Sequence, residues 1–389
     1  MLGLLCAMGL TACGGGKGGE GSKSQSGDKG PWTVKFDTNG GNETYADQTV
    51  ENKGTATDPG TPTKSDEKGN YTFNGWRDGT AVWSFKNSKV TKDTTLVANW
   101  IEKFAVSYLN ADGSANGTVS YVDSGTPLTA PAAPTAPAGQ KFYGWLNTKN
   151  GGQIWDYQNE TLNKVMADVE LKPFFVSSSL DAQTLEAELC PDFRDEKWGP
   201  TGMKGTTYSG GQAGLGLIGL EELDASGKNK LGSSGNYAVG EKNYSGFVQF
   251  LYIKGDTLTW EVESDVAASN VTLFMRLSAE YGTQNPETDE ITNTFSDQEF
   301  QVLVNDEALS YGRITLHNII QTLIPFQDYM VSTTVNLKAG KNVIQMNVNN
   351  KIDVTSAIHA AAPCIDCIKL YSTSTLTWAK ADLTNITDK

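Results

Sequence analysis

Histidine is scarce in this chain, with only two copies among 389 residues. Zinc sites rich in histidine and catalytic centres with several imidazoles are therefore excluded. Cationic side chains are also in deficit, because 31 Lys and Arg face 45 Asp and Glu and leave a net charge of −14. Nucleic acids and anionic membrane surfaces attract clusters of cations, so neither is expected as a partner.

Sequence motifs of common catalytic centres are also missing. The chain has no Gly-x-Ser-x-Gly nucleophile elbow, no His-Glu-x-x-His motif and no Walker phosphate loop. Residues 214–219 match the dinucleotide-binding pattern Gly-x-Gly-x-x-Gly, but the residues after them predict no adequate helix. We therefore expect that the protein is not an enzyme.

The N-terminal apolar segment, residues 1–12, is too short to span a bilayer but has the character of a signal-peptide core. It ends in Leu10-Thr11-Ala12-Cys13, which resembles the lipobox of bacterial lipoproteins. That resemblance implies cleavage before Cys13 and a diacylglyceryl group on its sulfur, followed by a flexible Gly/Ser linker at residues 13–30. The chain is then exported and held at the bacterial cell surface, with the lipid anchor as its only membrane contact. The alternative is an apolar tail with an incidental cysteine.

Aromatic and aliphatic residues recur in matched order at a period of about 70 residues. The matched segments are Trp32–Phe36 with Phe104–Tyr108, Phe73–Trp76 with Phe142–Trp145, Val82–Phe85 with Ile154–Tyr157, and Asp93–Leu96 with Asp168–Leu171. Turns such as Asn39-Gly40 and Asp112-Gly113 separate short strands in each copy. The pattern indicates two copies of one small domain, at residues 31–101 and 102–176.

The first copy resembles the Listeria–Bacteroides repeat, also called the internalin B-repeat, at Val34–Gly41, Phe73–Trp76 and Lys92–Trp100. The second copy is degenerate and ends in Lys172-Pro173-Phe174-Phe175. The resemblance implies a small β-grasp-like fold found in surface proteins, where it serves as a spacer or an adhesive module.

Four tryptophans occupy matched positions of the two copies. They are Trp76, Trp83, Trp145 and Trp155. Their indole faces could form a platform on which sugar rings stack. Their places in alternating strand patterns favour a second interpretation, in which each small domain builds its core from a few large side chains.

Residues 177–376 are rich in alternating apolar positions, and no long segment among them has helical periodicity. The clearest alternations are Leu258–Val262, Val271–Leu277, Phe300–Val304 and Ile344–Val348. They predict a β-sandwich or jelly roll, followed by a C-terminal tail at residues 377–389. The whole chain is thus expected to be mainly β, with two small β-grasp-like repeats followed by a β-sandwich jelly roll.

Several segments of this region resemble carbohydrate-binding modules of families 6 and 35 in their order and spacing. They are Leu185–Glu188, Tyr208–Gly211, Gly255–Trp260, Phe274–Leu277, Val302–Asn305, Leu337–Ile344 and Ile365–Leu370. The resemblance implies a galactose-binding-like jelly roll that binds a polysaccharide or glycoconjugate.

The first of these segments contains two acidic residues, Glu186 and Glu188, which share one face of a strand because side chains alternate. The first and last strands of such jelly rolls are neighbours, so Asp366 is expected to approach this pair. Crowded carboxylates repel unless a hard cation neutralises them, and Ca²⁺ suits an all-oxygen site. The resemblance also implies a structural calcium on these three residues. A catalytic carboxylate pair and simple solvated acids are the alternatives.

Loop aromatics are the candidates for stacking on a sugar. The family's Asn before the final Ile-Asp is replaced here by Pro363-Cys364, so its sugar site cannot be transferred residue by residue. The candidates are Phe326, Tyr329, Tyr237, Tyr244 and Trp198. Each could instead pack against a turn.

Three cysteines of this region are expected to lie near one another: Cys190, Cys364 and Cys367. One disulfide from Cys190 to either of the others is compatible with an exported protein, and buried thiols are equally compatible.

The sequence therefore predicts a cell-surface lipoprotein whose calcium-braced jelly roll binds glycan and is displayed on a repeat spacer. A structural or adhesive surface protein with protein partners and no sugar binding is the alternative. A glycoside-active enzyme using Glu186 and Glu188 is a third and weaker hypothesis.

Overall fold

The computed structural model describes residues 30–194, 218–239, 241–248, 251, 254–278, 283–284, 290–319, 325–349 and 363–381. All regular elements in these ranges are β-strands, so the prediction of a mainly β chain is confirmed. The described residues contain no helix able to cross a membrane. The chain divides into two compact units. One extends to Pro62 and includes Asn74–Asn99, and the other comprises Thr63–Phe73 and the chain from Trp100 onwards.

The first repeat contains seven short strands. They are β1 (Trp32–Asp37), β2 (Gln48–Val50), β3 (Ser65–Asp66), β4 (Gly69–Asn70), β5 (Phe73–Asp78), β6 (Ala81–Val82) and β7 (Thr94–Trp100). Five of them form a sheet in the order β2-β1-β7-β5-β6, and β3 pairs with β4 as a separate hairpin. The central strands β1 and β7 are parallel, with Val34 opposite Thr94. A parallel central pair with antiparallel neighbours gives the mixed sheet expected of a β-grasp-like domain.

The second repeat contains five strands. They are β8 (Lys103–Tyr108), β9 (Ser120–Asp123), β10 (Gln140–Asn147), β11 (Gln153–Trp155) and β12 (Val169–Ser177). Their order is β9-β8-β12-β10-β11, which is the order of the first repeat strand for strand. The parallel pair is again central, with Val106 opposite Val169. Two copies of one domain are therefore present.

Equivalent side chains make equivalent contacts in the two repeats. Asp93 Oδ1 accepts a hydrogen bond of 2.8 Å from the Thr33 backbone N–H. In the second repeat Asp168 Oδ1 accepts one of 2.8 Å from the Ala105 backbone N–H. Each aspartate thus ties the start of the last strand to the first strand of its repeat, and this contact explains why the motif recurs.

The tryptophans belong mostly to the cores of the repeats. Trp76, Trp145 and Trp155 are only 2%, 6% and 6% exposed, and Trp83 is half-buried. The rings of Trp76 and Phe36 meet edge to face with centroids 5.3 Å apart. The interpretation as core residues is confirmed for Trp76, Trp145 and Trp155, because these three rings have no broad face open to a ligand.

The described residues of the C-terminal domain contain sixteen strands. They are β13 (Gln183–Glu186), β14 (Asp192–Arg194), β15 (Ile218–Glu222), β16 (Tyr237–Val239), β17 (Lys242–Val248), β18 (Thr257–Ser264), β19 (Ala268–Ser278), β20 (Thr283–Gln284), β21 (Glu290–Ser296), β22 (Phe300–Val304), β23 (Glu307–Ala308), β24 (Arg313–Ile319), β25 (Gln327–Leu337), β26 (Gly340–Val348), β27 (Cys364–Tyr371) and β28 (Leu376–Trp378). The last strand pairs with β18, so the sheet continues into the segment expected to be the C-terminal tail.

Two large sheets form a sandwich. One has the order β15-β17-β27-β19-β25, with β13 on β27 and β16 on β17, and the other has the order β14-β18-β26-β22-β23, with β28 on β18. A small third sheet is β20-β21-β24. Alternate residues of β18 are buried, including the predicted core residues Leu258, Trp260 and Val262. The β-sandwich expected from period-two alternation is therefore present.

The second repeat and the sandwich share a sheet, because β11 pairs with β25 through Gln153 and Tyr329. The hairpin that presents β11 has five residues between Asn147 and Gln153, whereas the equivalent hairpin of the first repeat has two between Asp78 and Ala81. The Met330 backbone N–H donates to the carbonyl of Gly152 at 2.9 Å. A Cβ on Gly152 would lie 2.4 Å from the Met330 carbonyl oxygen, so only glycine allows this approach.

We expect Gly152→Ala to destabilise the joined second repeat and sandwich by about 1–3 kcal/mol, because the new methyl group overpacks the junction. Differential scanning calorimetry of the full chain measures the effect as a lower melting temperature. Gly139→Ala is the matched control, since Gly139 has a similar φ of +76° against +74° but no atom near its Cβ position. Equal losses in the two variants would show that the junction does not depend on this contact.

Candidate functional site

The first strand of the C-terminal domain pairs with its last long strand and brings acidic residues together. In the pairing of β13 with β27, Glu186 is opposite Cys367. The Ala187 backbone N–H donates to the Asp366 carbonyl at 2.9 Å. One ligand atom from each of Glu186, Asp366 and Cys367 lies within 4.8 Å of the others. The expected approach of Asp366 to the first strand is therefore seen.

Ser234 joins the two carboxylates from the loop before β16. Its hydroxyl lies 2.6 Å from Glu186 Oε2 and 3.0 Å from Asp366 Oδ1, and its backbone N–H donates to Asp366 Oδ1 at 2.6 Å. The second oxygen of Asp366 forms an ion pair of 3.1 Å with Arg276 Nε. Both oxygens of a fully buried carboxylate are thus bound by the protein.

Arg276 also connects this cluster to a second carboxylate, Asp328 on β25. Arg276 Nη1 lies 3.0 Å from Asp328 Oδ1, and Lys369 Nζ lies 2.9 Å from both oxygens of Asp328. The Tyr143 hydroxyl of the second repeat donates to Asp328 Oδ2 at 2.6 Å. Asp328 therefore accepts hydrogen bonds from three strands, one of them in the neighbouring domain.

The electrostatic environments of the three carboxylates differ. Burial raises the pKa of Glu186 to about 7, with Asp366 adding to the rise and Ser234 opposing it. Burial also raises the pKa of Asp366, against the effects of Ser234 and Arg276. At Asp328 burial is outweighed by Lys369 and Arg276, so its pKa is held below the ordinary value. The two cations of the network, Lys369 and Arg276, therefore act most strongly on Asp328.

The predicted calcium ligands include a third residue, Glu188. Its side chain is fully buried and lies against Gly246, where a Cβ would come within 2.7 Å of Glu188 Cγ. Glu188 is not part of the group of three that approaches within 4.8 Å, in which Cys367 takes its place. The close contact explains why residue 246 is a glycine.

The donor set of this cluster fits a hard cation in part. Carboxylate oxygens of Glu186 and Asp366 and the Ser234 hydroxyl are the oxygen ligands that Ca²⁺ takes in proteins. Arg276 and Lys369 form ion pairs with Asp366 and Asp328, and Glu186 has no ion pair within the described residues. The Cys367 thiol is a soft donor and does not suit Ca²⁺. Bound Ca²⁺ would neutralise the carboxylates and brace β13 against β27.

Three of the aromatic residues predicted to stack on sugar are buried, which corrects that prediction. Phe326, Tyr329 and Tyr244 are 2%, 0% and 5% exposed, so none offers a ring face to a ligand. Phe326 packs on Phe247 with ring centroids 5.2 Å apart. The alternative of packing therefore describes these rings.

The structure gives less detail on the other residues that were predicted for sugar binding, lipidation or a disulfide. Tyr237 lies on β16 opposite Tyr244 of β17. Trp198 and the lipidation residue Cys13 lie outside the described residues. Cys190, Cys364 and Cys367 are buried thiols and form no disulfide with one another.

The sequence analysis missed Arg276, Asp328 and Ser234. A signal existed for Arg276, because a charged residue within the apolar strand Ala268–Ser278 requires a buried partner. No comparable signal marked Asp328 or Ser234, whose roles depend on pairing between distant segments.

The family of the two repeats is established by comparison with known proteins. Residues 32–99 and 104–171 each match the Listeria-Bacteroides repeat domain. Both repeats are Listeria-Bacteroides repeat domains. The second match includes the degenerate copy, whose strand order is the same as that of the first.

Curated proteins similar to this chain share only part of it. A protein of Evansella cellulosilytica named "Putative Gly-rich membrane protein" is 29% identical over 170 residues, which cover 42% of this chain and 19% of the relative. Internalin H of Listeria monocytogenes is 35% identical over 104 residues, which cover 26% of this chain and 18% of the relative. The matched region thus spans about a fifth of the length of these relatives.

Solved structures similar to this chain include two carbohydrate-binding modules of family 35. CBM35 from Cellvibrio japonicus Abf62 has 16% identity and a TM-score of 0.23, covering 42% of this chain and 98% of that chain. Xyl-CBM35 in complex with a glucuronic acid containing disaccharide has 17% identity and a TM-score of 0.23, covering 42% and 97%.

We expect Asp328→Asn to lower the free energy of unfolding of the sandwich by about 3–5 kcal/mol, because it leaves Lys369 without its charged partner and removes one of the two carboxylates that bind Arg276. The loss is measured by chemical denaturation of the full chain. Glu222→Gln is the control, because it breaks an ion pair with Lys242 whose two side chains are more than half exposed, and it should cost less than about 1 kcal/mol.

The difference in stability between wild type and the Asp328→Asn variant is also expected to depend on pH. The folded pKa of Asp328 is lowered, so its contribution is complete above the unfolded value of about 3.9 and is lost as pH falls through the folded pKa. The stability difference between wild type and Asp328→Asn should therefore be constant from pH 5 to 7 and shrink below about pH 4. A difference that shrank near pH 6 would contradict this assignment.

Proposed function

We propose that this chain is a cell-surface protein that binds a polysaccharide or glycoconjugate through its β-sandwich, with the two repeats as the spacer that displays it. The observation that carries the proposal is the placement of the segments that resemble carbohydrate-binding modules. Gly255–Trp260, Phe274–Leu277, Val302–Asn305, Leu337–Ile344 and Ile365–Leu370 contribute to strands β18, β19, β22, β25 with β26, and β27. The resemblance therefore follows the framework of the two packed sheets.

The cell-surface location is supported by the repeats and by the names of the relatives, one of which is called a membrane protein and the other an internalin. We further propose that a lipid on Cys13 is the anchor, because residues 10–13 resemble a lipobox. Cys13→Ser should then move the chain from the membrane fraction to the medium.

A non-catalytic role is supported by the state of the carboxylates. Of the two carboxylates in the enzyme hypothesis, Glu188 is fully buried, and Glu186 Oε2 accepts a hydrogen bond of 2.6 Å from the Ser234 hydroxyl. General acid–base catalysis at a glycosidic bond needs carboxyl groups that reach the substrate from both sides of the bond. Release of reducing sugar that Glu188→Gln abolished would restore the enzyme hypothesis.

The proposed function predicts that the purified full chain binds at least one glycan on an array in the presence of 1 mM Ca²⁺. Asp328→Asn should weaken this binding, because the residue connects β25 to β19 and β27 in the sandwich. A chain that is folded by circular dichroism and binds no glycan would favour the adhesive protein with protein partners.

We propose that Ca²⁺ braces the cluster of Glu186, Glu188 and Asp366. Saturating Ca²⁺ should raise the melting temperature, since a ligand at one hundred times its Kd stabilises the folded state by about 2.7 kcal/mol. Glu186→Gln should abolish the rise, whereas Glu261→Gln, at an exposed ion pair with Lys341, should keep it. An unchanged melting temperature on chelation of wild type would refute the calcium site.

A further inference from the structure

A cleft opens where the second repeat meets the sandwich. Its volume is about 510 Å³, which is enough for a small saccharide. One wall comes from the hairpin and following loop of the second repeat, and the other comes from β24, the start of β25 and the segment around Leu231. The cleft therefore exists only in the joined pair of domains.

The rim of the cleft is positively charged, although the whole chain carries −14. Lys149 and Lys164 reach it from the second repeat and Lys230 from the sandwich. None of the three lysines forms an ion pair within the described residues. The one carboxylate in the lining, Asp168, is already bound by a backbone N–H. Three unpaired lysines attract an anionic group.

A fixed ladder of amide side chains crosses the cleft from one domain to the other. Asn150 Nδ2 donates to Gln153 Oε1 at 3.1 Å, and Gln153 Nε2 donates to Gln327 Oε1 at 2.8 Å. Asn150 also exchanges two hydrogen bonds with the backbone of Thr315, of 2.7 and 3.0 Å. Because each amide is held by its neighbour, the donors at the cleft are placed before a ligand arrives.

Tyr329 forms part of the sandwich wall and supplies a second observation. The residue is fully buried, and its hydroxyl has no hydrogen-bond partner in the described part of the chain. Leaving a buried hydroxyl without a partner is costly, so such groups are normally satisfied. An oxygen of a bound ligand at the inner end of the cleft would satisfy it.

We propose that this cleft is a binding site for an acidic saccharide, which the second repeat and the sandwich build together. The lysines bind the carboxylate or sulfate of the ligand, and the amide groups of Gln153 and Gln327 and the Tyr329 hydroxyl bind its hydroxyl groups. The proposal rests on the proposed glycan-binding function and adds a site and a ligand charge to it. It also makes the second repeat part of the binding site as well as a spacer.

The test is titration calorimetry of the full chain with a hexuronate-containing disaccharide and with its neutral analogue. Wild type should bind the acidic disaccharide at least tenfold more tightly, and the difference should fall as salt is added. Lys164→Gln and Lys230→Gln, one in each domain, should each weaken acidic binding by about tenfold, while Lys338→Gln on the exposed sandwich surface should not.

One further variant and two outcomes separate the site from the function. Tyr329→Phe should weaken binding without lowering the melting temperature, because it removes only an unpartnered hydroxyl. Glycan binding that is unchanged in the lysine and tyrosine variants would overturn the cleft and leave the proposed function standing. Absence of binding to any glycan by folded wild type would overturn the proposed function itself.

Discussion

One carboxylate, Asp328 of β25, connects strands β19 and β27 of the sandwich to the second repeat. It binds Lys369 of β27, Arg276 of β19 and the Tyr143 hydroxyl of the second repeat. Arg276 in turn binds Asp366, so the interdomain contact and the acidic cluster belong to one network. Buried ion pairs add little net stability but are costly to break. We therefore interpret the network as a device that selects a single arrangement of the sandwich and the second repeat.

Backbone pairing in the shared sheet fixes this arrangement in addition to the ion pairs around Asp328. At the junction β11 adds to the edge of β25, and Gln153 pairs with Tyr329 in register. The network around Asp328 and the amide ladder around Gln327 are adjacent on β25 and face opposite sides, because side chains alternate along a strand. The same short pairing therefore supports both the acidic cluster and the cleft.

Much of the architecture follows from local pattern. The recurrence of aromatic residues along the chain predicts two repeats. Alternation predicts strands such as β18 and β26, because that signal arises within a few residues. The approach of Glu186 to Asp366 follows from the pairing of the first and last strands. The roles of Phe326 and Tyr329 could not be predicted, since a strand sequence does not say which of its faces another sheet covers. Asp328 and Arg276 are 52 positions apart, and only tertiary register brings them together.

The unequal hairpins of the two repeats have a consequence for how such chains are assembled. The first repeat turns with two residues, whereas the second uses five and places Asn150 and Gly152 against the sandwich. The copies are thus alike in topology but not interchangeable in position. An array of this kind can grow or shrink by insertion of standard units upstream, while its terminal unit stays matched to the domain it carries. The length of such an array and the fit of its last unit to the sandwich are then set by different residues.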